Sequence, residues 1–412
     1  MSTAAVDIAT IETVFTEHYG RAVASLIRVF GDVDIAEDAV QDAFTTAVSR
    51  WPVEGLPPSP PGWIITTARN RAVDRLRRDA AGHDKYAQAA LLHEHDEPIE
   101  TDTVYDDRLR LIFTCCHPAL APATQVALTL RLLGGLTTAE LAHAFLIPES
   151  TMAQRITRAK GKIRDARIPY RVPAPGELPA RLNSVLAVLY LIFTEGHTAT
   201  SGIDLTRPDL CAEAIRLARV LADIMPGEPE VRGLLALMLL TDSRRNARIT
   251  PDGSLVPLPK QDRSQWNRAQ LDEGQALVRK CLRHNDPGPY QLQAAINAVH
   301  ADALDPADTD WAQILRLYDH LSALSPSPIV ALNRAVALAE VHGPHAALDV
   351  LDELNLQQHY LFHAIRADLL RRLGDNTEAA YAYDAAIDRT RNDAERAFLI
   401  SRRDALAAPP GA

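Results

Sequence analysis

Apolar residues recur at helical spacing through most of the chain, whereas the strict alternation typical of a half-buried strand is rare. Residues 34–50 are the clearest example, with seven apolar positions on one face and a polar face opposite. Asp34 is the predicted N-cap, with Glu37 three residues later. The polar face carries Asp38, Gln41 and Asp42. This stretch predicts an amphipathic helix with an acidic outer surface.

A second predicted helix, from Gly62 to Arg78, has an apolar arc and a basic arc. Five arginines against the single Asp74 give it a positive field suited to phosphates, and its aromatic and amide side chains can stack on or hydrogen-bond exposed bases. The candidate contacts are Trp63, Asn70, Arg71, Arg75, Arg77 and Arg78. Arg69 falls on the apolar arc, which favours an internal ion pair or a stacked guanidinium. A solvated arginine-rich surface is the alternative interpretation.

A proline-rich segment, Trp51 to Pro61, joins these two helices. Proline lacks a backbone donor and clashes with the preceding turn inside a helix. The segment is therefore predicted to be an extended loop beside the basic helix.

A third pattern, within residues 104–167, predicts a helix-turn-helix. Thr137 and Glu140 form a capping box, and a turn at Leu146 to Pro148 leads into the last helix. The inward positions of that helix are Met152, Ile156, Ala159 and Ile163. Its polar and basic ridge, of a length that fits a major groove, consists of Ser150, Thr151, Gln154, Arg155, Arg158 and Lys162. Leu146 occupies a turn position that often requires glycine, so a positive φ there would be strained.

Two motifs occur in order: D-x-x-E-D-x-V-Q-D-x-F at 34–44 and W-x-x-x-x-A-R-N-R-A-x-D-x-x-R-R at 63–78. They resemble region two of the bacterial sigma factors of the extracytoplasmic-function (ECF) type, and the helix-turn-helix resembles region four. The resemblance implies that Asp38, Gln41 and Asp42 bind the clamp of RNA polymerase, and that region four reaches its flap. It also implies that the basic helix reads and opens the minus-ten element and that the ridge binds the minus-thirty-five element. Ala153 stands at a position where arginine in a relative would contact a base, so the resemblance does not fix the promoter sequence.

The net charge of the chain is −10, which is unusual for a DNA-binding protein, but the charge is unevenly distributed along the sequence. The net charge of residues 104–171 is +5. It is −3 for residues 1–82, −5 for residues 83–103 and −7 for residues 172–412. The acidic segment 83–103 lacks strong periodicity and is predicted to be a linker. In the family such a linker replaces a middle domain and runs toward the RNA exit channel.

The four cysteines form no disulfide framework, and no apolar run is expected to span a bilayer. We therefore expect a cytoplasmic protein that needs no cofactor and contacts no membrane. Cys115, Cys116 and His117 suggest a metal site only weakly, because adjacent cysteines cannot easily reach one tetrahedral ion. Buried thiols at a helix end are the preferred interpretation.

After a proline-rich hinge, residues 172–412 consist of alanine- and leucine-rich helical segments. A turn at Pro251 to Gly253 predicts a small hairpin or loop. Gly343 and Gly374 each end a predicted helix before an alanine-rich partner, and the second such pair resembles a tetratricopeptide repeat. The pattern predicts an α-solenoid that binds a protein or peptide ligand.

The sequence thus predicts an all-α protein: sigma region two at 1–82, the linker at 83–103, region four at 104–171 and a tetratricopeptide-like extension at 172–412. It resembles the ECF group with such an extension, which implies a non-enzymatic factor, monomeric when free, that directs core RNA polymerase to promoters under control of the extension. One alternative is a polymerase-independent helix-turn-helix regulator with a sensor domain. Another is an enzyme within residues 180–300 that uses Glu195 and His197, although a C-cap at Gly196 and satisfied core polar groups explain this stretch without chemistry.

Overall fold

In the computed structural model of the chain, the described residues are 7–80, 101–145, 147–199, 205–251, 253–283 and 286–407. Over these ranges the backbone forms α-helices, short 3-10 turns and one isolated antiparallel bridge between Ile249 and Leu255, with no longer strand. The prediction of an all-α protein is confirmed. The chain divides into two compact units, Met1–Leu189 and Tyr190–Ala412.

Helices of the first unit are α1 (Ile8–Phe30), α2 (Val33–Glu54), α3 (Pro60–Ala80), α4 (Thr101–Cys115), α5 (Pro122–Leu132), α6 (Thr138–Ala144) and α7 (Glu149–Asp165). Helix α8 (Leu178–His197) contains the division between the units. The second unit continues with α9 (Pro208–Ile224), α10 (Pro229–Asp242), α11 (Arg268–Leu282), α12 (Pro289–Asp302), α13 (Trp311–Leu324), α14 (Pro328–His342), α15 (Pro344–Asp352), α16 (Tyr360–Arg372), α17 (Asn376–Arg389) and α18 (Asp393–Asp404).

The start of α2 differs from the prediction. Asp32 is the N-cap, because its carboxylate accepts hydrogen bonds from the backbone N–H groups of Asp34 and Ile35 at 2.8 and 3.0 Å. The prediction of Asp34 as the N-cap is wrong by two residues. Both aspartates satisfy the sequence rule, and only the backbone geometry selects between them.

The segment between α2 and α3 is shorter than predicted. Helix α2 continues through Pro52 to Glu54, and α3 begins at Pro60, so the extended loop predicted for residues 51–61 is wrong at both ends. Pro52 lies in the last turn of α2, where Gly55 ends the helix with φ 84°. Pro60 and Pro61 occupy the first turn of α3, where the missing N–H groups would have no intrahelical acceptor.

The predicted linker at 83–103 lies outside the described residues except for Thr101 to Thr103, which begin α4. Helix α4 therefore starts three residues before the predicted position at Val104. Leu146, where strain was predicted, also lies outside the described residues.

Helix α1 is central to the first unit, where it packs against α2, α3, α4 and α5. Gly20 permits one of these approaches, since a Cβ atom there would lie 2.6 Å from the carbonyl oxygen of Leu133. The helices before and after residues 81–100 consequently belong to one packed unit.

In the second unit most helices pack on their neighbours in sequence, and α10 also packs extensively on α12. Gly343 and Gly374 have positive φ values of 88° and 82° at the ends of α14 and α16, as predicted. Between α16 and α17, Ala367, Ala379 and Ala386 are fully buried, so these helices approach closely. The extension is therefore helical, as predicted, and the packing of successive helices is consistent with a solenoid.

The predicted hairpin in the second unit is present as a short loop. Thr250 N–H donates to the carbonyl of Ser254 at 2.9 Å, and Val256 N–H donates to the carbonyl of Arg248 at 2.7 Å. Gly253 has φ 87° at its tip, so the loop turns where the sequence indicated.

One helix in the described part, α8, is long and apolar enough to cross a membrane by length and composition. The expectation that no run reaches this length is therefore wrong. Leu186 and Phe193 of this helix are buried within the protein, and Arg181 donates a hydrogen bond to the carbonyl of Phe113 at 2.6 Å.

Candidate nucleic-acid and polymerase interface

The acidic face of α2 is exposed, as its periodicity predicted. Asp38, Gln41 and Asp42 are accessible to solvent. The opposite face is buried and packs on α1 and α3; its side chains include Ala36, Ala39, Val40, Ala43 and Phe44. Helix packing therefore leaves the three predicted polymerase contacts on the surface.

Helix α3 exposes its basic arc and buries its apolar arc. Ile65, Ala68 and Ala72 are buried, whereas Val73, Leu76 and Arg69 are half-buried. Solvent reaches Asn70, Arg71, Arg75 and Arg77. Arg78 lies in α3, but its side chain is outside the description.

The two predicted contact surfaces adjoin. Nη1 of Arg75 lies 2.5 Å from Oδ2 of Asp38, and the two side chains are 50% and 49% exposed. Arg71 likewise reaches back to α2, with Nη2 3.5 Å from the hydroxyl of Thr46. Arg75 is a predicted contact to the minus-ten element, and it is paired with Asp38, a predicted clamp contact. Sequence spacing within either helix could not show this.

Trp63 is held against a second indole. Its ring lies edge-to-face on the buried Trp51, with centroids 5.3 Å apart and an interplanar angle of 63°. Such aromatic pairs contribute about 0.5–1.5 kcal/mol beyond burial. Trp63 is only half-buried, so solvent still reaches part of this residue.

The predicted ridge of α7 is also accessible. Met152, Ile156, Ala159 and Ile163 are buried, as their spacing predicted. Ser150, Thr151, Gln154, Arg158 and Lys162 are exposed, and Arg155 is half-buried. The Arg155 guanidinium lies 5.5 Å from the ring centroid of Phe145, which orients it next to the turn.

The helix before α7 starts with the predicted capping box. The carboxylate of Glu140 accepts from the backbone N–H of Thr137 at 2.7 Å, and the Thr137 hydroxyl accepts from Glu140 N–H at 3.1 Å. This reciprocal pair fixes the start of α6 and the entry to the helix-turn-helix.

A buried ion cluster, missed at the sequence level, joins α2 to α5 and α7. The carboxylate of Glu37 is 4% exposed and pairs with Arg131 and with Nζ of Lys160, the latter at 2.7 Å. Lys160 also lies 2.7 Å from Asp34. Burial lowers the pKa of Lys160, but the charges and hydrogen bonds of Glu37 and Asp34 outweigh it and raise the pKa above its usual value. The apolar neighbours of Glu37 in α2 are the only sequence signal that it points inward.

A second buried carboxylate supports the same unit. Asp107 is fully buried and pairs with Arg28 at 2.8 Å and with Arg110 at 3.4 Å. The hydroxyl of Tyr170 donates within this region, lying 2.8 Å from the carbonyl of Ala24. Asp107 of α4 and Tyr170, which follows α7, are thereby tied to α1.

Cys115 and Cys116 are buried at the end of α4, where burial raises the pKa of both thiols. Sγ of Cys116 lies 3.6 Å from the hydroxyl of Thr129. His117 is turned to the backbone, with Nδ1 accepting from Ala119 N–H at 3.1 Å. These contacts account for all three residues as local packing and capping groups.

The Glu195 to His197 stretch differs from its expected geometry. Gly196 lies inside α8 and not at a C-cap, and a Cβ atom there would meet the backbone nitrogen of Cys211 at 2.7 Å. The glycine is needed for close approach of α9. His197 stacks on Phe193, and burial together with Arg248 and Arg244 keeps its pKa well below the usual value.

Comparisons with known proteins find two families within the first unit. Residues 14–81 match the family described as Sigma-70 region 2, and residues 110–163 match Sigma-70, region 4. The chain is 27% identical over 164 residues to the probable ECF RNA polymerase sigma factor SigI of Mycobacterium tuberculosis, covering 38% of this chain and 56% of that protein. It is 28% identical over 160 residues to the ECF RNA polymerase sigma factor SigK of Mycobacterium ulcerans, covering 37% and 79%.

The chain belongs to the ECF sigma factors. The resemblance identified from the two motifs is thereby confirmed.

This ECF sigma factor carries a C-terminal extension, in which residues 181–282 match a family of unknown function, DUF6596. An uncharacterized protein of Rhizobium meliloti is 42% identical over 398 residues, which cover 95% of this chain and 94% of that protein. The sigma regions and the extension therefore occur together in another full-length protein. No solved structure matches the chain.

Proposed function

We propose that this sigma factor binds core RNA polymerase through the acidic face of α2, which carries Asp38, Gln41 and Asp42, and through region four. The observation that carries the proposal is that these side chains are exposed on a helix whose other face is fully used in packing. An exposed acidic surface supplies both steering and register for a basic partner.

The polymerase is then directed to promoters by two separate DNA contacts. The ridge of α7 binds the minus-thirty-five element, and α3 binds the minus-ten element and helps to open it. Opening DNA costs a few kcal/mol of unstacking per base, which stacking on Trp63 and phosphate contacts from the arginines offset. No covalent step is required of the sigma factor.

We further propose that the extension modulates this activity by binding a protein or peptide, in a cytoplasmic protein that is monomeric when free. The solenoid arrangement of α9 to α18 supports such a role because stacked helix pairs form an extended binding surface. A polymerase-independent regulator is the competing function, and it requires tight DNA binding by the free chain.

In vitro transcription with bacterial core polymerase, from the promoter of the protein's own gene neighbourhood, tests the proposal. Transcripts should require the full chain and should be lost when Arg71 and Arg77 are both replaced by glutamine. The matched control is the double replacement of Arg268 and Arg283, two exposed arginines of the second unit. Tight promoter binding by the free chain without any gain from core polymerase would favour the competing function.

Polymerase binding is measured separately by pull-down of core enzyme. Replacing Gln41 and Asp42 by alanine should weaken it, while the same change at the exposed Asp388 of α17, in the extension, should not. Binding that is retained by the Gln41 and Asp42 variant would contradict the assignment of α2.

A further inference from the structure

Three arginines of the second unit converge near the end of α10 and the following loop. Arg244 and Arg248 flank the 3-10 turn Arg245–Ala247, and Arg263 begins the 3-10 turn Arg263–Gln265. All three are half-buried, so solvent still reaches side chains that are largely surrounded by protein. Burial lowers the pKa of each, that of Arg244 to about 10, with Arg248 and Arg263 adding to the effect at Arg244.

The hydrogen-bond partners of these arginines are neutral. Nη2 of Arg244 donates to Oδ1 of Asn297 at 2.8 Å. Arg248 donates to the carbonyl of His197 at 2.5 Å and to the hydroxyl of Thr198 at 3.1 Å. Arg263 donates to the carbonyl of His300 at 2.9 Å. Among the described residues no carboxylate forms an ion pair with any of the three.

Neighbouring arginines behave differently. Arg245 pairs with Asp242 at 2.6 Å, and Arg219 pairs with Glu273 at 2.6 Å. Acidic groups act on the three arginines only from farther away, as Glu395 and Asp242 do on Arg248 and Asp305 does on Arg263. The three arginines therefore differ from these two neighbours in having no direct ion pair within the described part of the chain.

The pKa values of two nearby histidines, His197 and His300, are lowered by burial and by the charge of these arginines. Burial, Arg248, Arg244 and Arg245 hold the pKa of His197 well below its usual value. Burial, Arg244 and Arg263 lower that of His300 to about 4. Both imidazoles are thus neutral at pH 7, and the charge of the cluster comes from the guanidinium groups.

A polar, half-buried stripe of α12 borders the cluster. Tyr290, Gln293, Asn297 and His300 recur at spacings of three, four and three residues, which places them along one face. The ring of Tyr190 packs edge-to-face on Tyr290, with centroids 5.6 Å apart. Leu292, Ile296 and Val299 are buried on other sides of the helix, so the stripe is a polar surface that folding leaves accessible.

We propose that Arg244, Arg248 and Arg263 form a binding site for an oxyanion, the carboxylate or phosphate of a small molecule. A guanidinium has five N–H donors, and planar oxyanions accept two of them at once. Cations that are partly withdrawn from water without a counterion are costly, and a bound anion removes this cost. The site lies in the extension and is independent of the proposed contacts with polymerase and promoter.

Thermal unfolding of the full chain tests the site with inorganic phosphate and with succinate, at constant ionic strength set by sodium chloride. We expect a saturable rise in the melting temperature with one or both anions, because a ligand of the folded state stabilises it by mass action. A response to phosphate alone identifies the phosphate form, and a response to succinate alone identifies the carboxylate form. No saturable rise with either anion would overturn the proposal.

The variant Arg244→Gln separates binding from a structural role. It should weaken the anion response about tenfold or more. Without anion it should melt no lower than the parent, because an uncompensated charge has been removed. The control Arg268→Gln changes an arginine that is 81% exposed and should retain the full response. A retained response in Arg244→Gln, or a lower melting temperature without anion, would assign Arg244 to the fold.

If Arg244→Gln does not fold, the histidines of the parent protein give a second measurement. A bound anion should raise the pKa of His300, measured by NMR titration of its imidazole, because the anion counters Arg244 and Arg263. An unchanged titration at an anion concentration that saturates the melting response would contradict binding at this cluster.

Discussion

Oε2 of Glu37 lies 2.7 Å from Nζ of Lys160, so a carboxylate of the region-two helix α2 is paired with an amine of the helix-turn-helix. Glu37 also pairs with Arg131 and is almost completely buried. Lys160 therefore points into the first unit, while Lys162, two residues later, is exposed on the predicted DNA-binding ridge.

Glu37→Gln should lower the free energy of unfolding of the first unit by about 3–5 kcal/mol, since it leaves the partly buried Arg131 without its carboxylate and Lys160 with only the exposed Asp34. Urea denaturation followed by circular dichroism measures the loss. Asp34→Asn is the matched control: Asp34 also contacts Lys160 but is 56% exposed, so its loss should cost about 1 kcal/mol or less. Equal effects of the two changes would contradict the role of burial.

The same cluster predicts alkaline destabilisation. The pKa of Lys160 is raised in the folded state, so its stabilising contribution is fully present below the unfolded pKa of about 10.4. It is lost as the pH rises through the higher folded value. Denaturation midpoints measured across this alkaline range should fall less steeply in Lys160→Met than in the parent.

We expect replacement by alanine to have opposite effects on stability at Gly20 and at Gly161. Gly20→Ala should destabilise by about 1–3 kcal/mol, because its Cβ would meet the backbone of Leu133. Gly161→Ala, in an open position of α7, should be neutral or stabilise by up to about 1 kcal/mol, because alanine favours helix. Thermal unfolding of both variants checks the pair. A harmless Gly20→Ala would contradict the close packing of α1 on the end of α5.

Because Arg75 pairs with Asp38, we expect a change at Arg75 to affect both promoter opening and core polymerase binding. Their pair is half-exposed and contributes about 1 kcal/mol or less, so either side chain can leave it to bind a partner. Arg75→Glu should impair promoter opening and strengthen core polymerase binding, since it frees Asp38 and adds negative charge to the surface proposed to meet a basic partner. Arg77→Glu is the control and should affect opening alone. Open-complex footprinting and polymerase pull-down measure the two effects, and equal polymerase binding by both variants would contradict the coupling.

We expect the second unit to lose stability in acid because the pKa of His300 is lowered in the folded state. Its pKa of about 4 in the folded state lies below the usual value near 6.5, so the unfolded chain binds the proton more readily. Stability should therefore fall by up to about 3 kcal/mol as the pH decreases from about 6.5 to 4. His300→Gln should reduce this dependence, and replacement of the exposed His320 should not. Denaturation midpoints at several pH values test it.

Helical periodicity determined the faces of α2, α3 and α7, because residues three and four apart in a helix share a side. For that reason the structure exposes Asp38, Gln41 and Asp42 of α2 and Arg71, Arg75 and Arg77 of α3. The two motifs carried the family assignment. The capping box at Thr137 is equally local, since its partners are three residues apart.

Tertiary packing decided what local spacing could not. Whether Asp32 or Asp34 caps α2, and whether Pro52 ends it, depends on the backbone path between helices. The partners of Glu37 lie about a hundred residues away in the chain, and Asp38 meets Arg75 across two helices. The arginines of the proposed anion site are likewise brought together by distant elements. Charges in separate elements influence one another only after the chain has folded, since Coulomb interactions depend on distance in space and on burial.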